Sequence, residues 1–147
     1  MAQFARPFLD VTRTDWEEDD GTTVAIFDQI DESAASDADF IRTGAAPSNA
    51  IFVCKLSPVV DPVASTGHIV RYRYKKDAAG GDAVDLLVEL RQGYVSEGTP
   101  GTLIEDAAHA DIGGASWTDG SFTLDAAEAD AITNYADLYL RFVATTP

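Results

Sequence analysis

The chain has 147 residues, 46% of them hydrophobic and 24% charged, the size and composition of a single globular domain. Ten Lys and Arg stand against 25 Asp and Glu, a formal charge of −15, which repels a polyphosphate backbone and argues against nucleic acid as a partner. No run approaches the roughly 18 consecutive apolar residues of a membrane span, and the start MAQFARPFLD has no basic segment leading into an apolar one, so the sequence predicts an untargeted, soluble chain with no membrane partner.

In chain order, the first predicted strand is Phe4 to Val11, and residues 1–13 read as an N-terminal arm or edge strand able to pair with a neighbour. The acidic run Asp15-Trp16-Glu17-Glu18-Asp19-Asp20-Gly21 offers oxygen ligands of the kind calcium takes. It lacks the Asp-x-Asp-x-Asp-Gly pattern and reads as a solvated turn, so no metal is expected. Val24 to Ile30 is apolar and fits either a strand or a helix, while Asp31 to Asp37 suits a short helical turn. Asp39 to Thr43 and Ala50 to Leu56 are the next predicted strands. The second holds Cys54, the one cysteine, which cannot form an intramolecular disulfide and reads as a small buried hydrophobe.

Period-two alternation is clearest from Gly67 to Lys76, where Val70, Tyr72 and Tyr74 oppose Arg71, Arg73 and Lys75. Asp77-Ala78-Ala79-Gly80-Gly81-Asp82 then reads as a hairpin loop. It leads to Val84, Leu86, Val88 and Leu90, which oppose Asp85, Glu89 and Arg91 with Leu87 the apolar exception. Gly93 to Glu97, Thr102 to Ala107 and Ser121 to Leu124 are further candidate strands, and Thr99-Pro100-Gly101 and Asp119-Gly120 carry tight-turn residues. Asp125 and Glu128 have capping-box spacing at the head of an alanine-rich turn running to Thr133. Finally Leu138, Leu140 and Phe142 alternate with Asp137, Tyr139, Arg141 and Val143. The expected fold is all-β: one antiparallel β-sandwich domain over residues 1–147, jelly-roll-like, with one or two short helical turns.

Catalytic chemistry finds little footing. His68 stands at a strand start and His109 in an Ala-rich acidic segment read as a loop. Ser65 is near His68 in sequence, but the Gly-x-Ser-x-Gly elbow is missing, as are the phosphate-loop and dinucleotide fingerprints. With 25 acids, coincidental carboxylate pairs carry no glycosidase signal. The expectation is a protein that is not an enzyme, with no catalytic residues and no cofactor. Tyr72 and Tyr74 read as core, whereas Trp16, Tyr94, Trp117 and Tyr139 read as candidates for exposure, with Trp16 and Trp117 the candidate glycan contacts. Arg71, Arg73, Lys75 and Lys76 supply four of the ten cations. If the three best strands are neighbours, these form a charge ladder with Asp85, Glu89, Asp137 and Arg141. The alternative is a docking face for an acidic partner or another copy of the chain.

Two stretches go beyond generic β pattern: Leu56-Ser57-Pro58 through Asp61-Pro62 to Ser65-Thr66-Gly67-His68-Ile69-Val70-Arg71-Tyr72-Arg73, and Leu124 through Tyr135 into Asp137-Leu138-Tyr139-Leu140-Arg141-Phe142. With Val88-Glu89-Leu90-Arg91-Gln92-Gly93 between them, the span Leu56 to Thr145 resembles a family of small jelly-roll or β-sandwich structural proteins of tailed phages and prophages. The resemblance implies a virion-associated, non-enzymatic protein, present in the host cytoplasm during assembly. It implies head decoration, or cement, on the major capsid protein, or else a place in the tail, and a homo-oligomer for which a trimer is the guess. Candidate interface residues are Arg71, Arg73, Lys75, Arg141, Phe4 and Arg6. The alternative is a carbohydrate-binding module of a receptor-binding tail component, using Trp16 and Trp117.

Overall fold

The computed structural model describes residues 2–77 and 81–147. Its strands are β1 (Pro7–Thr14), β2 (Trp16–Glu18), β3 (Ile41–Thr43), β4 (Ala50–Leu56), β5 (Ile69–Tyr74), β6 (Val84–Gln92), β7 (Thr102–Ile112), β8 (Thr118–Thr123) and β9 (Leu138–Thr145). A 3-10 turn occupies Ile26–Gln29 and a helix, α1, Ala126–Ala131. The protein is all-β and every strand pair is antiparallel.

One layer is a five-stranded sheet in the order β1-β4-β9-β6-β7, and the other is made of two ribbons, β2-β3 and β5-β8. The pairings are nested: β4 with β9, β5 with β8, and β6 with β7. This is the wiring of a rolled-up antiparallel ribbon, the construction of a jelly roll. β1 adds an edge outside β4, and its register against β4 slips between Pro7 and Leu9 and again between Asp10 and Thr12.

Alternation decides the two faces of the large sheet. Ala50, Phe52, Cys54 and Leu56 of β4, Leu138, Leu140, Phe142 and Ala144 of β9, and Val88 and Leu90 of β6 point between the layers into one cluster with Trp16, Ile26, Leu124, Ala129 and Ile132. The rings of Phe52 and Phe142, register partners, stack at 6.1 Å, and Trp16 tilts against both. The outer face carries a smaller cluster of Ile51, Val53, Tyr94 and Tyr139. Asp125 caps α1 through both bonds of the capping box, accepting from Glu128 N–H at 2.9 Å while Glu128 accepts from Asp125 N–H at 2.6 Å.

Several expectations need correction. β5 pairs with β8 and not with β6, so Asp77 to Asp82 joins the two layers instead of closing a hairpin; Ala78, Ala79 and Gly80 of it lie outside the described residues. Asp119-Gly120 sits inside β8 and not at a turn. Gly120 faces Tyr72 across the ribbon, and a Cβ there would overlap the tyrosine ring, so the glycine makes room for an aromatic neighbour. Gly93 to Glu97 is not a strand; it enters a tight turn in which Ser96 and Thr99 exchange backbone hydrogen bonds. The turn near the start of the chain falls on Ile26–Gln29 and not on Asp31 to Asp37, because the Asp10 carboxylate accepts from the Ile26 and Phe27 N–H groups at 2.9 Å each.

Candidate functional site

A two-ribbon layer cannot cover a five-stranded one. The β2-β3 ribbon contacts β4 and the 3-10 turn, while Tyr72 of β5 reaches across to β7. Between the ribbons a cleft of about 1560 Å³ remains. Its floor is the inner face of the sheet, including Leu56, Leu90, Leu140, Phe142 and Ala144, and β5 borders it along its whole length.

Five of the six candidate interface residues converge on this cleft. Phe4, Arg6, Arg71, Arg73 and Lys75 all line it. Six of the ten cations of the chain do so, counting Arg42 and Lys76, against five of the 25 acids: Glu32, Asp39, Asp77, Asp82 and Asp119. With six cations to five acids, the cleft lining is close to neutral in a molecule of formal charge −15. Arg6 donates to the carbonyls of Asp31 and Glu32 and lies 5.5 Å from the Phe4 ring, which fixes the arm. Gln3 and Val60 reinforce it with two reciprocal hydrogen bonds of 2.8 Å.

At one end of the cleft, Arg73 pairs with Asp37 and lies 2.9 Å from Asp119, the second contact falling off the Nε–H direction. Trp117 is half-buried there. Lys75 sits over its ring at 4.8 Å and Arg73 at 5.8 Å, and Phe40 meets it edge-on at 5.7 Å. Arg71 is exposed and has no carboxylate within ion-pair distance among the described residues.

Three buried polar atoms in residues lining the cleft lack hydrogen-bond partners, the Arg73 Nε just described among them. The Trp16 indole Nε1 is buried without an acceptor, and the Nδ1 of His68 is buried without a partner, its Nε2 lying 2.8 Å from the Tyr135 hydroxyl. A buried N–H without an acceptor costs about 1–3 kcal/mol, a cost the Trp16 indole bears within the core. Ser65 donates instead to Asp130 at 2.6 Å, so Ser65 and His68 form no nucleophile-base pair.

Other sequence expectations fare differently. Trp16 is only 8% exposed and belongs to the core, so it is no exposed sugar platform; its place on β2 against Phe52 and Phe142 buries it. Tyr94 and Tyr139 are also buried. His109 lies in β7 and not in a loop. Its Nε2 is 2.6 Å from the Tyr72 hydroxyl, its ring is 4.3 Å from Tyr74, and burial pushes its pKa below the ordinary histidine value.

Arg141 does not join the cleft. It is on the opposite face of the sheet, bonded to Glu89 at 2.7 Å and to Glu97 at 2.6 Å, with Arg91 holding the other Glu89 oxygen at 2.8 Å. Burial alone would raise the Glu89 pKa, but the two arginines outweigh it and hold the carboxyl below the ordinary range. The ladder expected between β5 and β6 is therefore replaced: Glu89 pairs between β6 and β9, Asp137 pairs with Lys55 of β4 at 3.2 Å, and Arg73 lies against Asp119 of β8. Sequence reasoning missed Phe40 and Asp37, which meet Trp117 and Arg73; the signal was a lone aromatic in an acidic, alanine-rich stretch. Compared with known proteins, the chain matches no family, no curated protein and no solved structure.

Proposed function

We propose that this chain is a non-enzymatic structural protein of a tailed-phage virion, decorating the head by docking its cleft face on the major capsid protein. The observation that supports this best is the convergence of Phe4, Arg6, Arg71, Arg73 and Lys75 on one cleft of a molecule with net charge −15. An acidic surface keeps many copies dispersed, and a local cationic margin gives one face on which an acidic partner is not repelled. The phage assignment itself rests on the resemblance of Leu56 to Thr145. A homo-oligomer, with a trimer as the starting guess, is part of the same reading.

Quantitative mass spectrometry of purified particles from the source phage or prophage tests it. About one copy per major capsid subunit is expected, and particles lacking the chain should break at lower temperature or force. A small fraction of a copy per subunit would move the protein to the tail, and no copies would overturn the reading. The carbohydrate alternative now rests on Trp117 alone, whose ring is already occupied by Lys75, Arg73 and Phe40. Glycan-array binding lost in Trp117→Ala would revive it.

A further inference from the structure

The cleft has a shape and a chemistry that specify its occupant more closely. At about 1560 Å³ it exceeds the roughly 300–1,000 Å³ of pockets that enclose a small molecule. β5 hydrogen-bonds to β8 on one side, and no strand pairs with its other side among the described residues. Every residue from Thr66 to Asp77 borders the cleft, whereas β8 contributes only Asp119, Gly120 and Ser121. The unpaired side of β5 is therefore the side toward the cleft. Along that side every second residue offers a backbone N–H and C=O that a further strand could take.

We propose that the cleft binds an extended segment of a partner protein as an added strand on β5, the segment being apolar at alternate positions and acidic at the others. An added strand sends every second side chain to each face. One set would meet the floor of Leu56, Leu90, Leu140 and Phe142. The other would meet Arg71, which has no acid partner among the described residues, and Lys75, which is held by the Trp117 and Phe40 rings. A long-chain acid would satisfy the floor and the cations but would leave the backbone groups on the open side of β5 unpaired. The proposal rests on the docking reading above only for the identity of the partner as a shell subunit.

The test is selection of random linear peptides on the full-length protein, followed by hydrogen exchange of the selected complex. Enriched sequences are expected to alternate apolar residues with Asp or Glu. They should bind Arg71→Glu/Lys75→Glu at least about tenfold more weakly, the size of one lost ionic contact. Amides at alternate positions within Ile69–Tyr74 should gain protection in the complex. Absence of enrichment, binders indifferent to the charge reversals, or binding without β5 protection would each overturn the added strand. So would saturable binding of laurate at this cleft when no peptide is selected. Particle composition is read separately: selected strand peptides together with no copies in virions would leave this inference standing and remove the shell as partner.

Discussion

Glu89 on β6 lies in register with Arg141 on β9, and Arg141 Nη1 donates to Glu89 Oε2 at 2.7 Å. Both side chains are largely buried beneath the loop that carries Tyr94 and Glu97, and the Tyr94 hydroxyl ties that loop to Thr12 of β1. Removing one partner of a buried pair leaves a charge without compensation, at a cost of about 3–5 kcal/mol. Arg141→Met should fall toward the lower end of that range, because Arg91 still holds Glu89. Glu89→Gln/Arg141→Met should recover much of the loss. Urea denaturation of the two variants checks this, and a double variant no more stable than the single one would show that the pair is not the determinant.

The same network fixes a sign for acid sensitivity. Hydrogen bonds from Arg91 and Arg141 lower the Glu89 pKa against the opposing effect of burial, and Glu97 is lowered chiefly by Arg141. A carboxyl with a depressed folded-state pKa contributes stability that is full above its unfolded value, near 4.5, and is lost as pH falls through the folded value. His109, depressed by burial from 6.5, begins to lose its contribution earlier, as the unfolded chain takes up its proton below about that pH. Glu18, Glu32 and Glu128 are shifted upward and act in the opposite sense. The readout is therefore the difference between variants: urea midpoints from pH 8 to 3 should fall less steeply below 4.5 in Glu89→Gln/Arg141→Met than in the parent chain.

The sheet was legible where a strand has one dry face and one polar face. The pattern of Ala50 to Leu56 gives the observed bounds of β4, and the inward alternation of Leu138, Leu140 and Phe142 and the capping box at Asp125 also follow from local pattern. Pairing was not legible, because period-two alternation says which way a side chain points and not which strand lies beside it. Alternation alone therefore suggests β6 as the neighbour of β5, whereas a layer-crossing connection places β5 beside β8. Burial of Trp16, Tyr94 and Tyr139 escapes the pattern for a related reason: Trp16 is buried because its ribbon packs on the large sheet, and Tyr94 and Tyr139 because the loop after β6 folds against the outer face. The cleft is a property of how little of the large sheet the ribbons cover, so its lining was found only residue by residue, through Arg71, Arg73 and Lys75.

Gly120 carries a steric prediction. Its register partner Tyr72 lays its ring over the position a Cβ would occupy, and the Tyr72 hydroxyl is held by His109 at 2.6 Å, so the ring is not free to swing away. Gly120→Ala should destabilise the protein by about 1–3 kcal/mol, the usual cost of overpacking. Tyr72→Leu should be less sensitive to the same change, since a smaller side chain removes the overlap. A thermodynamic cycle over the four proteins measures the coupling, and additive effects would refute the steric account.

Cys54 reports on the opposite edge. It lies in β4 beside β1, in register with Asp10, and is fully buried, with its thiol pushed up to about 12 by burial. A thiol in that state does not react with a soluble disulfide reagent until the sheet opens. β1 is the side on which opening should occur, as an edge strand with two register slips. Asp10 restrains it by accepting from Ile26 and Phe27, and hydrogen bonds to a charged acceptor contribute about 1.5–3 kcal/mol each. Asp10→Ala should therefore speed thiol labelling at pH 8 by about tenfold or more, a factor that corresponds to some 1.4 kcal/mol. Arg141→Met should speed it only to the extent that it lowers global stability. Equal labelling rates in Asp10→Ala and the parent chain would mean that β4 is exposed by opening from β9 instead.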